Sequence, residues 1–321
     1  MRVCREISRW VTENVQRPLE EWIERTERRC REQPCNWWCL CCNKWFCFLV
    51  TFFVRVVVWV TVTVTKLVTE IVCTIISIVL DVVAAIVNLI LSIPVIGGII
   101  RAILNWITDI VLRIISIPDL LLSLAGVMIP KKIYVKGVIL NANGVPLTNE
   151  AAIMPSITLA SQIFLRECNV RLIYTGTCTP QLSTPTEAQT IDCGSSGFFA
   201  DLLGVQGAHF EFVSADCGFE NGFNRVVGYA SEIMVFVVRD VQPPTTVGCS
   251  FSSTHNYVTI EAANLTSATP DTVAHEIGHA CALTHSDNIQ NLMFPNNARA
   301  NNTMSAFQRA WFRSSKHCVF V

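Results

Sequence analysis

Three of the chain's six histidines fall within eleven residues, at spacings of four and then six: His275, His279 and His285. Side chains four residues apart stand one above the other on a helix, so His275 and His279 can grip one ion from a shared face. His285 follows the point where that helix should end, so the chain can turn back and offer a third imidazole. Three neutral ring nitrogens with a fourth position open describe a catalytic zinc site, because structural zinc sites are closed by four protein ligands. Zinc lowers the pKa of its water to about 7 and polarises a substrate carbonyl. Glu276, beside the first histidine, lies within reach of such a water. It is the natural general base, taking the water proton and passing it to a leaving amine. The chemistry read from these residues is hydrolysis with Zn2+ as cofactor.

The run His275-Glu276-x-x-His279-x-x-Ala282-x-x-His285, followed by Met293, resembles the metzincin metalloproteases, whose pattern sets a Met-turn beneath the zinc. Within that clan it is most similar to the matrixins. They too carry a Ser after the third His (Ser286) and a Leu-Met-aromatic-Pro turn, here Leu292-Met293-Phe294-Pro295. The resemblance implies zinc ligation by His275, His279 and His285, catalysis by Glu276 and a hydrophobic floor at Met293. It also implies a protein or peptide substrate laid antiparallel along an edge strand, sought at 247–253, with a pocket wall at 291–297. The likeness covers residues 133–321, but only 271–295 match closely. The clan has Gly where this chain has Ala282. If that position is left-handed, a Cβ there costs about 1–2 kcal/mol. No segment resembles the matrixin cysteine switch, so latency through a thiolate on zinc is not expected.

The elements that must position these residues read as α+β. The expectation is a metzincin-like catalytic domain, a twisted mixed sheet with a zinc-binding helix and Met-turn, preceded by an all-α hydrophobic, transmembrane region. Strands are expected at 133–140, 169–174, 232–238 and 257–261. A helix is expected at 150–168, another after Pro270-Asp271, and a last one at 303–314. The acidic Asp271 suits the N-terminus of the zinc helix. Residues 176–228 read as loop-rich. His209, His255 and His317 have no partner at ligand spacing, which assigns them to packing or to the surface.

Charged residues are 15% of the chain, and the shortage is concentrated in 46–128. Glu70, Thr74, Ser77, Asp81, Asn88 and Ser92 recur on one narrow helical stripe. Arg101, Asn105, Thr108 or Asp109, Arg113 and Ser116 repeat the arrangement. The two segments end alike, at Ser92-Ile93-Pro94 and Ser116-Ile117-Pro118, where proline should close each helix, and Gly97-Gly98 fit a turn between them. A thin polar line in a wide apolar coat suits lipid outside and a polar seam inside. Each segment is long enough to cross a hydrocarbon core of about 30 Å. The stretch 45–67 reads as a third span or, from its Val-Thr alternation, as a strand.

The division read from composition is a charged Cys- and Trp-bearing head (1–45), a hydrophobic helical membrane region (46–128) and a zinc metalloprotease domain (133–321). No cleavable signal is evident, so the apolar tract should remain as an anchor. Basic residues crowd the head, which places it in the cytoplasm. The expected location is the membrane, with the catalytic domain on the extracytoplasmic side and a lipid bilayer as partner of 46–128. A net charge of −1 gives no sign of nucleic-acid binding. Of 15 cysteines, six crowd 30–47 and seven are spread over 168–318, a density that points to disulfides with one thiol left over. The reading is a membrane-anchored zinc metalloendopeptidase. Its alternative is a membrane-inserting toxin or delivery protein with the protease as payload.

Overall fold

The computed structural model of the 321-residue chain describes residues 94–218, 230–266, 271–296 and 299–320, with five isolated positions before them. The chain divides into two compact units. One comprises Met1–Ile86, Ile114–Pro118 and Phe320–Val321, and the other Val87–Arg113 and Asp119–Val319. The second unit holds the sheet and the three clustered histidines. The expectations for the 1–45 head with its cysteines, the 45–67 span and the 70–92 stripe fall outside the described residues.

The sheet grows around one strand that is apolar at every position, β6 (Ile233–Val238, sequence IMVFVV), buried throughout. Such a run suits a strand covered on both faces, because successive side chains alternate between them. Ile233, Val235 and Val237 point into one core cluster and Met234, Phe236 and Val238 into another. β6 pairs in parallel with β1 (Lys131–Ile139) and with β9 (Tyr257–Glu261). β4 (Val170–Cys178) adds in parallel to β1, and β8 (Gly248–Ser250) closes the far edge antiparallel to β9. The short strand β10 (Val319–Phe320) completes an order of β10-β1-β6-β9-β8.

Parallel neighbours need crossovers. Helix α3 (Glu150–Cys168) makes the one from β1 to β4. Asn149 caps its first turn by accepting from Ala152 N at 3.2 Å, and Asn169 ends it in the left-handed region at φ 50. Ile153, Ile157, Ala160 and Phe164 bury one face of α3 in the first core cluster. The other cluster takes Phe210 and Val213 from α5 (Val205–Cys217), which follows α4 (Ser195–Leu203).

The α+β expectation is therefore corrected. The fold is mixed α/β: the sheet is mostly parallel, with β4, β1, β6 and β9 running together and β8 antiparallel to β9, and helices cover both faces. Helix 150–168 and strand 257–261 fall where the sequence put them. The loop-rich reading of 176–228 missed α4, α5 and the short β5 (Thr190–Asp192).

The transmembrane reading is also overturned: among the described residues no helix is long and apolar enough to cross a membrane. Helix α1 (Pro94–Ile115) holds Gly97 and Gly98 inside it, and α2 (Ile117–Leu124) begins just before Pro118. Proline is tolerated in a first helical turn, and Pro94 and Pro118 stand in the first turns of α1 and α2. The polar stripe faces protein. Asn105, Asp109, Arg113, Asp119 and Ser123 are all buried, while Ile103, Ile107, Ile110, Leu121 and Leu124 are exposed. Asp109 holds Arg113 at 2.7 Å, and the guanidinium lies over the Trp311 ring at 4.3 Å. It donates to Trp311 O, to Ser314 Oγ and to Cys281 O at 2.8–2.9 Å. Asp119 pairs with Arg313 at 2.7 Å and Lys131 at 2.9 Å. A buried charge is tolerated when it is paired and hydrogen-bonded, which these are. With the stripe so used, the membrane location and the extracytoplasmic side assigned from it are withdrawn.

Disulfides join Cys178 to Cys217 and Cys193 to Cys249. Each removes about 4 kcal/mol of loop entropy from the unfolded chain in the chain-entropy model. Cys168, Cys281 and Cys318 remain free and buried, so the odd count leaves three thiols, not one.

Candidate metal centre

Helix α6 (Thr272–Ala280) carries two kinds of side chain on two faces. Val273, Ile277 and Ala280, at i, i+4 and i+7, are fully buried and fix the helix to the sheet. His275, Glu276 and His279 lie on the other side and line a cavity of about 540 Å³. The helix stops at Cys281, and Ala282 follows with φ 60. Ala282 N donates to His279 O at 2.7 Å and Leu283 N to Gly278 O at 3.0 Å, which closes the last turn. The left-handed residue is the one where a Cβ was expected to cost, and it aims the chain toward His285.

Beyond that turn the chain passes back beneath the helix. Met293 is fully buried, and a Cβ on Gly278 would meet its Sδ at 2.6 Å, so glycine is needed for this approach. Asn291 holds the turn: its Oδ1 accepts from Met293 N at 2.8 Å and its Nδ2 donates to Gln308 Oε1 at 2.7 Å. Gln308 belongs to α7 (Ala306–Arg313), whose first turn it closes with Ser305 in a capping box.

The structure brings all three predicted imidazoles together. His279 Nε2 lies 3.1 Å from His275 Nε2 and 3.1 Å from His285 Nε2. Three nitrogens bonded to one tetrahedral zinc at 2.0–2.1 Å stand about 3.3 Å apart, so the set fits the ion. The ligand atoms all lie within 4.8 Å of one another, and they form the one group of this kind among the described residues. Backbone acceptors fix the rings: His275 Nδ1 donates to Leu292 O and His279 Nδ1 to Leu283 O, both at 2.8 Å. That leaves each Nε2 as the lone-pair nitrogen.

Burial keeps the rings neutral and ready to ligate. It lowers His275 to about 3 and His279 to about 4, and it lowers His285 as well. Glu276 is pushed up to about 8 by burial, opposed by the positive charge of Arg299. Its side chain lies against β8: a Cβ on Gly248 would meet Glu276 Cγ at 2.8 Å. β8, the expected substrate edge, lines the cavity with Gly248, Cys249 and Ser250, and the expected wall contributes Pro295 and Asn296.

Arg299 was missed by sequence reasoning. Its guanidinium, 2% exposed, forks onto Asp271 at 3.1 and 3.2 Å and donates to Phe294 O at 3.0 Å. Its Nη1 also lies 3.0 Å from His275 Nδ1. A lone Arg in a loop twenty-four positions after a histidine carries no spacing signal. His255 and His317 are buried packing residues: His255 pairs with Asp201 at 2.9 Å, and His317 Nδ1 donates to Ser231 O at 2.9 Å. His209 is buried beside Phe210.

No family model and no curated protein matches the chain. Among solved structures, it is similar to a zinc-dependent peptidase from Methanocorpusculum labreanum (strain Z), with 15% identity, 55% of this chain and 99% of that one covered, and a TM-score of 0.36. It is also similar to a chain in the structure of a chaperone-substrate complex, with 10% identity, 57% and 34% covered, and a TM-score of 0.34. The matrixin likeness remains one of local motif.

Proposed function

We propose that the chain is a zinc-dependent metalloendopeptidase of metzincin type. The single observation that carries this reading is the convergence of three imidazoles, with the Nε2 atoms of His275 and His285 each 3.1 Å from that of His279, on a cavity that also takes the Glu276 carboxyl. His275, His279 and His285 would hold the metal, with a fourth position turned toward the cavity. Zinc, when bound, supplies a Lewis acid, an acidified water and a positive charge that favours the ionised form of Glu276.

The chain's own residues do the rest. Glu276 accepts the proton of the attacking water on a carboxylate oxygen and delivers it to the leaving amine nitrogen. β8 offers an edge on which an extended peptide adds as an antiparallel strand, with backbone hydrogen bonds giving affinity. Pro295 and Asn296 form the wall against which one side chain rests. Met293 and Gly278 set the height of the ligand helix above the turn.

The test is Glu276→Gln in the full chain. Zinc should remain stoichiometric by metal analysis while peptide hydrolysis falls by about 10²–10⁴, the usual contribution of a positioned acid–base group. Unchanged turnover would remove Glu276 from the reaction. Wild-type protein that takes up no zinc would remove the whole reading.

A further inference from the structure

We infer that the Asp271–Arg299 pair is a positioning strut for the metal site: it locks the start of the ligand helix to the Met-turn and seats the His275 ring. The inference rests on the proposed zinc reading and adds two residues that neither ligate nor touch substrate.

The geometry is that of a three-way joint. Asp271 sits at the N-cap position of α6, yet its carboxylate makes no cap hydrogen bond; both oxygens go to the Arg299 fork, at 3.1 and 3.2 Å. An acidic residue at a helix start ordinarily caps the orphan amides. Here that use is given up for a bidentate pair, the geometry that fixes direction as well as charge. Arg299 then reaches Phe294 O at 3.0 Å, next in chain to Met293, and packs Nη1 against His275 Nδ1 at 3.0 Å. With the Nδ1 proton committed to Leu292 O, the guanidinium makes no hydrogen bond to the ring and acts on it through the turn, fixing Phe294 two residues after the carbonyl that holds Nδ1. One side chain therefore touches the helix start, the turn and the first ligand.

Electrostatics alone would argue against a guanidinium in this place. A cation beside a ligand nitrogen repels a dication, and at an effective dielectric near 20 the repulsion over several ångströms is on the order of kcal/mol. Asp271 offsets that charge locally. The arrangement makes sense if the rigid fork contributes more to metal affinity than its charge subtracts, since partners behind metal ligands typically matter 10–100-fold.

The two effects have opposite signs, which makes the pair testable. Zinc dissociation constants would be measured by chelator competition on metal-free wild type, Arg299→Lys and Arg299→Met, well below each melting midpoint so that lost global stability does not enter. Positioning predicts that both variants bind zinc about 10–100-fold more weakly, because Lys keeps the charge but loses the fork. The visible absorption of the cobalt-substituted proteins should shift in parallel, as the His275 ligand loosens. If Arg299 acts through charge only, Lys leaves the constant unchanged and Met tightens it, and that result would overturn the inference. Should Arg299→Met fail to fold, the Lys variant alone decides. Tight zinc in wild type with no change in either variant sinks the strut while leaving the proposed function intact. No zinc in wild type sinks the function itself.

Discussion

Helices α1 and α6 both bury ionisable side chains against the same unit, and they treat them in opposite ways. On α1, Arg113 spreads its guanidinium over Asp109, Ser314 and two backbone carbonyls, with the Trp311 face beneath. On α6, the Nδ1 sides of His275 and His279 are satisfied by backbone while the Nε2 sides face one another and the cavity. The first set is closed and asks for nothing further. The second is half-closed, and the unsatisfied half points to a common centre. The difference separates a structural polar cluster from one built for an ion, although both look alike as buried polar residues at helical spacing.

The comparison breaks most visibly at Arg113. Arg113→Met should cost about 3–5 kcal/mol, because it leaves Asp109 buried with its main partner gone. The double variant Asp109→Leu with Arg113→Met should recover most of that, since a well-packed apolar pair replaces a buried ion pair at little cost. Urea midpoints would check both. A single variant costing under about 1 kcal/mol would mean that the α1 set is not closed.

Acidity sharpens the contrast on the α6 side. In metal-free protein Glu276 has its pKa raised from 4.5 to about 8, so the folded state holds a proton that the unfolded chain gives up. Stability contributed by this group is full below the unfolded value and is lost as pH rises from 4.5 toward 8, by a few kcal/mol. His275, lowered from 6.5 to about 3, works the other way: its contribution is present above 6.5 and is lost as pH falls toward 3. Denaturation of chelator-treated protein at several pH values should give the greatest stability where the two windows overlap, between 4.5 and 6.5, with a fall on either side. Glu276→Gln should flatten only the alkaline arm, and an unchanged arm would rule Glu276 out as its source.

The smallest expected effect is at Ala282. Its φ of 60 places a Cβ in the left-handed region, so Ala282→Gly should raise stability by about 1 kcal/mol while leaving zinc content alone. A melting temperature that falls instead would show that the methyl group packs usefully.

Much of the site was legible because local chemistry fixes it. The i, i+4 histidines and the later third one converge, and the departure from Gly at 282 marked the left-handed turn. Helix 150–168 carried its own signals in Asn149, Asn169 and a clear apolar face. What stayed hidden depends on distant partners. Asn105, Asp109 and Arg113 repeat at helical spacing whether they face lipid-enclosed helices or a globular surface. Only Thr254, Trp311 and Cys281, far along the chain, tell which. Arg299 was invisible for the same reason. The short α4 and α5, interrupted at Gly204, left too weak a period to stand out from the glycines and cysteines around them.

Gly248 ties two tasks together. Because its bare Cα lets the strand rest on the Glu276 stem, the surface that would align a substrate and the group that would take the proton of the attacking water share one contact. A side chain of any size there would lift the rail and tilt the base in the same movement. Errors in alignment and in proton transfer are therefore coupled at a single backbone atom, and neither can be retuned alone.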